Sequence, residues 1–280
     1  MEILRTCAEL RKWSREQRGG GRAVGLAPTM GALHEGHASL IRAAYNTCEA
    51  VAVSIFVNPT QFAPHEDFGR YPRSFEADCR LAEAEGADVV FAPSVEEMYP
   101  EGSVTFVEVD GLSRRLDGRS RPGHFRGVAT VVAKLLIAAE ADRAYFGQKD
   151  AAQVSVLRRL AADLRFGTEI VVCPIVRESD GLALSSRNIY LSHSERKQAV
   201  ALSRAIRKAE ELYSAGDRRA DSLISTAKQI LTAEPDIRID YVELVDWATL
   251  LPVEVATAGA LFAVAARVGA TRLIDNTIFA

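Results

Sequence analysis

The sequence predicts an α/β fold with a doubly wound, mostly parallel sheet and a smaller α+β domain after it. Over the first two-thirds of the chain, short apolar runs rich in β-branched residues alternate with stretches of helical periodicity. Strands that alternate with helices of this length form βαβ units, in which the strands run parallel. After about Ile175 the pattern changes to two long helical stretches followed by three strands. We therefore expect domains at residues 1–175 and 176–280.

The first domain is predicted to be Rossmann-like, with helices on both faces of the sheet. Its predicted strands are RAVGLAPT, AVAVSIFVN, ADVVFAP, RAYFG and TEIVVCPI. Its predicted helices are HASLIRAAYNTC, RSFEADCRLAEAEG (closed by Gly86), GVATVVAKLLIAAE and DAAQVSVLRRLAADLR. Ligands of such sheets bind beyond the carboxyl ends of the strands, so we expect the functional residues in the strand-to-helix loops.

The second domain is predicted from its own pattern of two helices and three antiparallel strands. The helical stretches are SHSERKQAVALSRAIRKAEELYSAG and ADSLISTAKQILTAE. The strands are IRIDYVELVD, ALFAVAARV and TRLIDNTI. The segment RESDGLALSSRN joins the two domains, and we expect it to place polar groups over the cleft of the first, with the second domain as a lid.

Composition and charge exclude several classes of protein. A net charge of −3 and a pI near 6.0 disfavour binding to nucleic acid. The four cysteines form neither a CxxC motif nor a Cys/His cluster, so we expect free buried thiols in a reducing compartment. The N-terminus is charged, and the most apolar stretch contains Lys134 and is too short to span a bilayer. We therefore predict a cytoplasmic protein with no membrane partner.

The segment LAPTMGALHEGHASLIRAA places His34 and His37 three residues apart, where a predicted strand gives way to a helix. A zinc site needs a third ligand, and the metalloprotease motif spaces its histidines four apart, so we assign no metal ligands here. A capped turn without chemistry remains one interpretation. A phosphate site is the other, because a helix N-terminus offers N–H groups and Gly36 lets a nucleotide approach the backbone.

Five motifs in chain order resemble those of a known family. HEGH is similar to the HxGH signature of the nucleotidylyltransferase superfamily. Together, PTMGALHEGHASL, SIFVNPTQF, RPGHFRGVATVVAKL, YFGQKDAAQ and LALSSRNIYLS resemble the pantoate–β-alanine ligase family. The resemblance runs from about Ala23 to Leu191 and continues more loosely through the second domain. It implies an ATP-dependent ligase and, from the family, a homodimer, for which the apolar strand SVTFVEV could form the interface.

The resemblance implies a two-step reaction. The carboxylate of pantoate attacks the α-phosphate of ATP, giving pantoyl adenylate and pyrophosphate, and the amine of β-alanine then displaces AMP. Magnesium is implied by ATP, whose phosphates it neutralises. Asp78 is a candidate for a contact near the metal, but we expect it on an exposed helix face.

The resemblance also implies roles for individual residues. The catalytic residues are His34, His37 and Lys149. The residues that bind ATP are Met30, His37, Gly147, Lys149, Asp150, Val176, Leu184, Ser185, Ser186 and Arg187. The residues that bind pantoate are Asn58, Gln61 and Gln153. Without the resemblance, Asn58-Pro59 is typical of a turn and Asp150 of a helix cap.

Two positions depart from the family pattern. Leu184 stands where methionine is usual, a nearly volume-conserving exchange. Asp117 stands where glutamate is usual, in a segment expected at the surface and paired with Arg121. His124 is expected to be structural. Two rival functions remain: another adenylyltransferase, which transfers AMP and stops there, and a non-catalytic nucleotide-binding module.

Overall fold

A computed structural model describes residues 1–63 and 67–280, and it divides the chain into two compact units. The first unit is Met1–Gly147 with Val156–Cys173, and the second is Gln148–Ser155 with Pro174–Ala280. The predicted boundary after residue 175 lies two residues beyond Cys173. The residues from Gln148 to Ser155, which we expected in the first domain, group with the second unit.

The first unit is built on a parallel sheet, as predicted, but the sheet has six strands where five were predicted. Its strands are β1 (Glu2–Leu4), β2 (Val24–Thr29), β3 (Ala50–Ile55), β4 (Val89–Phe91), β5 (Arg143–Gly147) and β6 (Glu169–Cys173). Their order across the sheet is β1-β4-β3-β2-β5-β6, so the direction of winding reverses between β2 and β5. Ligands of doubly wound sheets bind at such a reversal. The loop after β2, which carries His34 and His37, lies there.

Helices at Cys7–Gly19, Val95–Met98 and Asp117–Ser120 were not predicted, whereas the other helices follow the predicted alternation. The helices that begin in the first two-thirds are α1 (Cys7–Gly19), α2 (Glu35–Tyr45), α3 (Phe75–Ala84), α4 (Val95–Met98), α5 (Asp117–Ser120), α6 (His124–Ala139) and α7 (Ala151–Asp163). Short 3-10 helices lie at Pro59–Gln61, Asp67–Arg70, Leu112–Arg114 and Gln148–Asp150. Apolar residues of α2 pack against the sheet through Leu40, Ile41 and Ala44.

The second unit has the predicted antiparallel sheet. Its elements are a 3-10 helix at Ser186–Tyr190, α8 (His193–Ser214), α9 (Ala220–Thr232), β7 (Ile237–Asp246), β8 (Ala260–Val268) and β9 (Thr271–Ile278). The sheet order is β7-β8-β9, with both pairings antiparallel. The apolar faces of α8 and α9 form one core with the sheet, which includes Leu202, Leu223 and Phe262.

Several local predictions were wrong. The N-terminal strand β1 was not predicted, so the histidine pair follows the second strand rather than the first. Residues 103–109, SVTFVEV, form no strand. Cys48 and Cys173 are buried as expected, but Cys7 and Cys79 are only partly buried. Among the described residues, no helix is long and apolar enough to cross a membrane.

Gly127 permits close packing between α6 and the 3-10 helix at Pro59–Gln61. A Cβ atom at this position would overlap the carbonyl oxygen of Thr60 and approach the Cα atom of Gln61 to 2.7 Å. Both obstacles are backbone atoms, which cannot rotate away. The absence of a side chain at Gly127 therefore determines where Asn58 and Gln61 lie.

We expect Gly127→Ala to lower the free energy of unfolding by about 1–3 kcal/mol, because overpacking outweighs the roughly 1 kcal/mol that alanine gains over glycine within a helix. Urea unfolding followed by circular dichroism measures this change. Gly19→Ala is the matched control, since Gly19 also lies in a helix but no atom lies within 4 Å of the added Cβ. A Gly127→Ala protein as stable as the wild type would contradict the packing argument.

Candidate active site

The two histidines cap the helix that they begin. His34 is the N-cap residue of α2, and its Nδ1 accepts a hydrogen bond from the backbone N–H of Gly36 at 3.1 Å. The Nδ1 of His37 in turn accepts one from the backbone N–H of His34 at 3.3 Å. The ring centroids are 4.1 Å apart. This reciprocal arrangement is a capping box made with imidazole nitrogens in place of the usual hydroxyl and carboxylate.

The capping bonds determine where each neutral ring carries its proton. A nitrogen that accepts a hydrogen bond from a backbone N–H has no proton of its own, so in both rings the proton lies on Nε2. His34 and His37 are therefore hydrogen-bond donors through Nε2, at a helix end whose dipole favours anions. The cap is thus present, and its hydrogen bonds leave Nε2 of each neutral ring as the donor.

Asp78 holds the loop that precedes these histidines. Its Oδ2 accepts a hydrogen bond from the backbone N–H of Ala32 at 2.9 Å, and its Oδ1 accepts one from Leu33 at 2.8 Å. The hydroxyl of Ser74 donates to Oδ1 at 3.0 Å. The expectation of an exposed helix face was wrong, because only 2% of Asp78 is exposed.

Asn58 and Gln61 belong to a buried amide network. The Nδ2 of Asn58 donates to Oε1 of Gln61 at 3.1 Å and to the carbonyl of Gly127 at 3.1 Å. Its Oδ1 accepts from the hydroxyls of Thr60 at 2.9 Å and Tyr99 at 2.8 Å. Asn58 is 1% exposed, so its amide is turned toward the protein. Burial raises the pKa of Tyr99, which keeps the phenol protonated as a donor.

Hydrogen bonds hold both the side-chain amide and the backbone carbonyl of Gln61. Because its Oε1 accepts from Asn58, its Nε2 is the donor end, and it contacts the Sδ of Met30 at 2.8 Å. Its backbone carbonyl accepts from Nδ1 of His124 at 2.8 Å. The other ring nitrogen of His124 lies 3.0 Å from a guanidinium nitrogen of Arg121 and must accept from it, because arginine only donates. His124 is therefore structural, as expected, and carries its proton on Nδ1.

Asp117 lies near this network but not at the surface. It begins α5 and is 8% exposed, so the expectation of an exposed segment was wrong. Its backbone carbonyl accepts from the backbone N–H of Arg121 at 2.8 Å. A side chain one methylene shorter than glutamate thus occupies a buried position.

In the second unit, Asn276 of β9 holds the turn that carries Lys149. Its Nδ2 donates to the backbone carbonyls of Gln148 at 3.0 Å and Lys149 at 2.9 Å. The Nζ of Lys149 lies 3.7 Å from Oδ1 of Asp150, a long separation for an ion pair. Gln153 follows in the first turn of α7 and is partly buried.

An ion pair with a buried carboxylate lies on the same strand. Asp275 accepts two hydrogen bonds from the guanidinium of Arg177, at 2.7 and 2.9 Å. Burial raises the pKa of Asp275, and Arg177 opposes that rise, as does the positive charge of Lys149. The paired geometry is the bidentate one in which arginine binds carboxylates most strongly.

The segment with the serine pair is anchored by backbone and side-chain hydrogen bonds. The N–H of Leu184 donates to the carbonyl of Val176 at 3.0 Å. The Oγ of Ser185 accepts from the N–H of Arg187 at 3.3 Å, capping the 3-10 helix that begins at Ser186. The predicted residues of this segment are thereby brought together within the second unit.

The predicted residues thus fall into two sets. Met30, His34, His37, Asn58 and Gln61 lie in the first unit, as does Gly147 at the end of β5. Lys149, Asp150, Gln153, Val176, Leu184, Ser185, Ser186 and Arg187 lie in the second. Sequence reasoning missed the supporting roles of Asp78, Tyr99, Gly127 and Asn276. No local pattern marks these contacts, which join residues far apart in the chain.

Comparisons with known proteins agree on one family. Residues 2–278 match the profile of the family described as pantoate-beta-alanine ligase. A pantothenate synthetase from Acidobacterium capsulatum is 58% identical, covering 99% of this chain and 97% of its own. The crystal structure of pantothenate synthetase from Thermus thermophilus is similar at a TM-score of 0.94 and 46% identity, over 99% of both chains.

A third comparison includes bound small molecules. The crystal structure of pantoate-beta-alanine ligase from Francisella tularensis, complexed with beta-gamma ATP and beta-alanine, is similar at a TM-score of 0.82 and 32% identity. The match covers 99% of this chain and 97% of that one.

We expect the histidines of this protein to divide into two tautomers. At a pH where the rings are neutral, His34 and His37 should carry the proton on Nε2 and His124 on Nδ1, because of their different partners. Long-range ¹H–¹⁵N NMR spectra of the imidazole rings distinguish the two forms. His193, which is exposed at the start of α8, is the control and should show an average of both. A protonated Nδ1 in neutral His34 would contradict the capping arrangement.

Proposed function

The chain belongs to the pantoate-beta-alanine ligase family, and we propose how its own residues perform that ligase reaction. The reaction condenses pantoate with β-alanine at the expense of ATP. The observation that carries the proposal is the imidazole capping box, which gives two Nε2–H donors at the N-terminus of α2. Donors fixed in advance stabilise negative charge as it develops on a reacting phosphate.

In the first step, a carboxylate oxygen of pantoate attacks the α-phosphorus of ATP. The new O–P bond forms as the bond to the β-phosphate breaks, and pyrophosphate leaves with the electron pair. We propose that His34 and His37 donate from Nε2 to phosphate oxygens during this exchange. Neutral donors suit the role, since they need not gain or lose a proton in the step.

We propose that pantoate is held by Gln61 and Gln153. The Nε2 of Gln61 is its donor end, so it can bond to a carboxylate or hydroxyl oxygen of pantoate. An amide adds no second negative charge beside the reacting carboxylate. Asn58 is predicted to contact pantoate, but both hydrogens of its amide are already donated within the protein. We therefore propose that Asn58 acts by orienting Gln61.

The second set of residues supplies positive charge for ATP. We propose that Lys149 and Arg187 offset the charge of the phosphates, with Ser185 and Ser186 as hydrogen-bond donors. Lysine suits this role because its ammonium is a mobile point charge. The remaining ATP-binding residues of the proposal are Met30, Gly147, Asp150, Val176 and Leu184.

In the second step, the amine of β-alanine attacks the carbonyl carbon of the adenylate. The C–N bond forms and the nitrogen releases a proton to solvent, while the bond between the carbonyl carbon and the phosphate oxygen breaks and AMP leaves with the electron pair. No residue of the chain forms a covalent intermediate in this proposal. Catalysis then consists of positioning the reactants and stabilising charge.

We propose that ATP binds as its magnesium complex. Residues 1–63 and 67–280 contain no cluster of three or more His, Cys, Asp or Glu side chains able to hold a metal ion. Magnesium commonly keeps several waters and binds substrate phosphates with few protein ligands. The donor set of the described chain therefore fits a metal that arrives with ATP, where it neutralises phosphate charge.

We further propose a cytoplasmic homodimer. The cysteines of the chain are free thiols, the state maintained in a reducing compartment. Twofold dimers are the commonest oligomers, and the extended segment 103–109 exposes 83% of Val104 and 45% of Phe106. Light scattering should give twice the chain mass of 30.5 kDa, and a smaller value for Val104→Asp if this segment is the interface.

The function is tested by following AMP and pyrophosphate from ATP, Mg²⁺ and pantoate, with and without β-alanine. We expect AMP and pantothenate only when both substrates are present. An adenylyltransferase that stops after AMP transfer would release pyrophosphate and no AMP with any amine. A nucleotide-binding module would bind ATP and release neither product.

We expect His34→Ala and Lys149→Ala each to slow single-turnover pyrophosphate release by about 10²–10³-fold, the usual cost of removing one charge-stabilising donor. Both variants should keep the wild-type circular dichroism spectrum. His193→Ala is the control, because His193 is exposed on α8, and it should react at the wild-type rate. Unchanged adenylation in His34→Ala would contradict the assigned role.

A further inference from the structure

We propose that Asp78 is a positioning residue for adenylation, which acts by holding the backbone of the loop between β2 and α2. The inference rests on the proposed function of His34 and His37. Asp78 itself is not proposed to touch either substrate. Its place is in the first turn of α3, well separated in sequence from the loop that it holds.

The hydrogen bonds of Asp78 account for its burial. A carboxylate that is 2% exposed must have compensating partners, and three donors surround this one. Two are the consecutive backbone N–H groups of Ala32 and Leu33, at 2.9 and 2.8 Å. The third is the hydroxyl of Ser74. Consecutive N–H groups that converge on one anion form a recognised backbone site for negative charge, and here the anion belongs to the protein.

The loop needs such support because its backbone is unusual. Gly31 has a φ of +84° and Ala32 a φ of +51°, so two consecutive residues lie in the left-handed region. Alanine adopts this conformation only at an energetic cost, which the surrounding structure must offset. A Cβ on Gly31 would lie 3.0 Å from Oδ2 of Asp78, so the glycine also leaves space for the carboxylate.

The support extends directly to the catalytic pair. Leu33, whose N–H is held by Asp78, precedes His34 in the chain. The N–H of His34 is the group that bonds to Nδ1 of His37. A shift of the loop backbone therefore moves the cap and, with it, both Nε2 donors.

Asp78→Asn tests the inference, since it keeps the shape but turns one acceptor into a donor that faces a backbone N–H. We expect kcat for pantoate-dependent ATP–pyrophosphate exchange to fall about 10- to 100-fold, because the two Nε2 donors would move by a distance on the order of 1 Å. The KM for pantoate should be unchanged, because the amide oxygen and the backbone carbonyl of Gln61 are held by Asn58 and His124, which lie outside the loop. The imidazole ¹⁵N shifts of His34 and His37 should change, while those of His124 should not.

Asp142→Asn is the matched control. Asp142 also accepts a hydrogen bond from a backbone N–H through Oδ2, that of Val24 at 2.8 Å, but at the opposite end of β2. We expect this variant to have the wild-type kcat and imidazole shifts. A loss in Asp142→Asn equal to that in Asp78→Asn would indicate general destabilisation and overturn the inference.

Gly31→Ala provides a second route if Asp78→Asn does not fold. The added Cβ pushes against Oδ2 of Asp78 without changing any charge, so the same fall in kcat and the same imidazole shifts are expected. Wild-type kcat and imidazole shifts in a folded variant at either position overturn the inference, as does recovery of Asp78→Asn by excess Mg²⁺, which would indicate a metal contact. Absence of exchange in the wild type would instead refute the proposed function, and the imidazole spectra would still test the loop.

Discussion

The hydrogen bonds between two backbone N–H groups and two imidazole nitrogens determine which ring nitrogens can donate at the start of α2. An N–H that donates to Nδ1 places the proton of the neutral ring on Nε2, so His34 and His37 are donors before any substrate arrives. A protonated ring would carry hydrogens on both nitrogens and could not cap the helix. The same bonds thus satisfy the helix end and prepare the donors, which explains why histidine occurs where serine and glutamate are usual.

Hydrogen bonds also determine which end of the Gln61 amide can donate. An amide can turn end for end, and only its partners decide which end faces a ligand. Tyr99 donates to the oxygen of Asn58, and Asn58 then donates to the oxygen of Gln61. Each hydrogen bond decides which end of the following amide accepts and which donates. The nitrogen of Gln61 therefore becomes the end that can bind an anion. The close packing at Gly127 keeps this chain of bonds within reach of α6.

Sequence reasoning predicted what depends on local pattern and failed where distant residues decide. The bounds of β8 and β9 agree with their predicted segments, because short runs rich in apolar and β-branched residues, bounded by turn residues, mark them locally. SVTFVEV is also rich in β-branched residues yet forms no strand, since a strand also needs a pairing partner that composition does not reveal. Asp78 was misjudged for a related reason: nothing near it in sequence indicates that its partners are Ala32 and Leu33. The motif residues were found through resemblance, whereas the residues that orient them were not.

The two residue sets also differ in what the fold holds fixed. In the first unit the side chains themselves are fixed, because their donors must point in one direction. In the second, Asn276 fixes the backbone carbonyls of Gln148 and Lys149, while the ammonium of Lys149 makes a long contact to Asp150. A point charge needs no particular orientation, so fixing the backbone of Lys149 is sufficient for the phosphate-binding role that we propose for it. The side chain is then able to follow a phosphate as charge moves from the α-phosphorus to pyrophosphate. Donors with a fixed direction and a mobile cation thus suit different parts of the proposed displacement at phosphorus. The hydrogen bonds within each unit match the part that we propose for it.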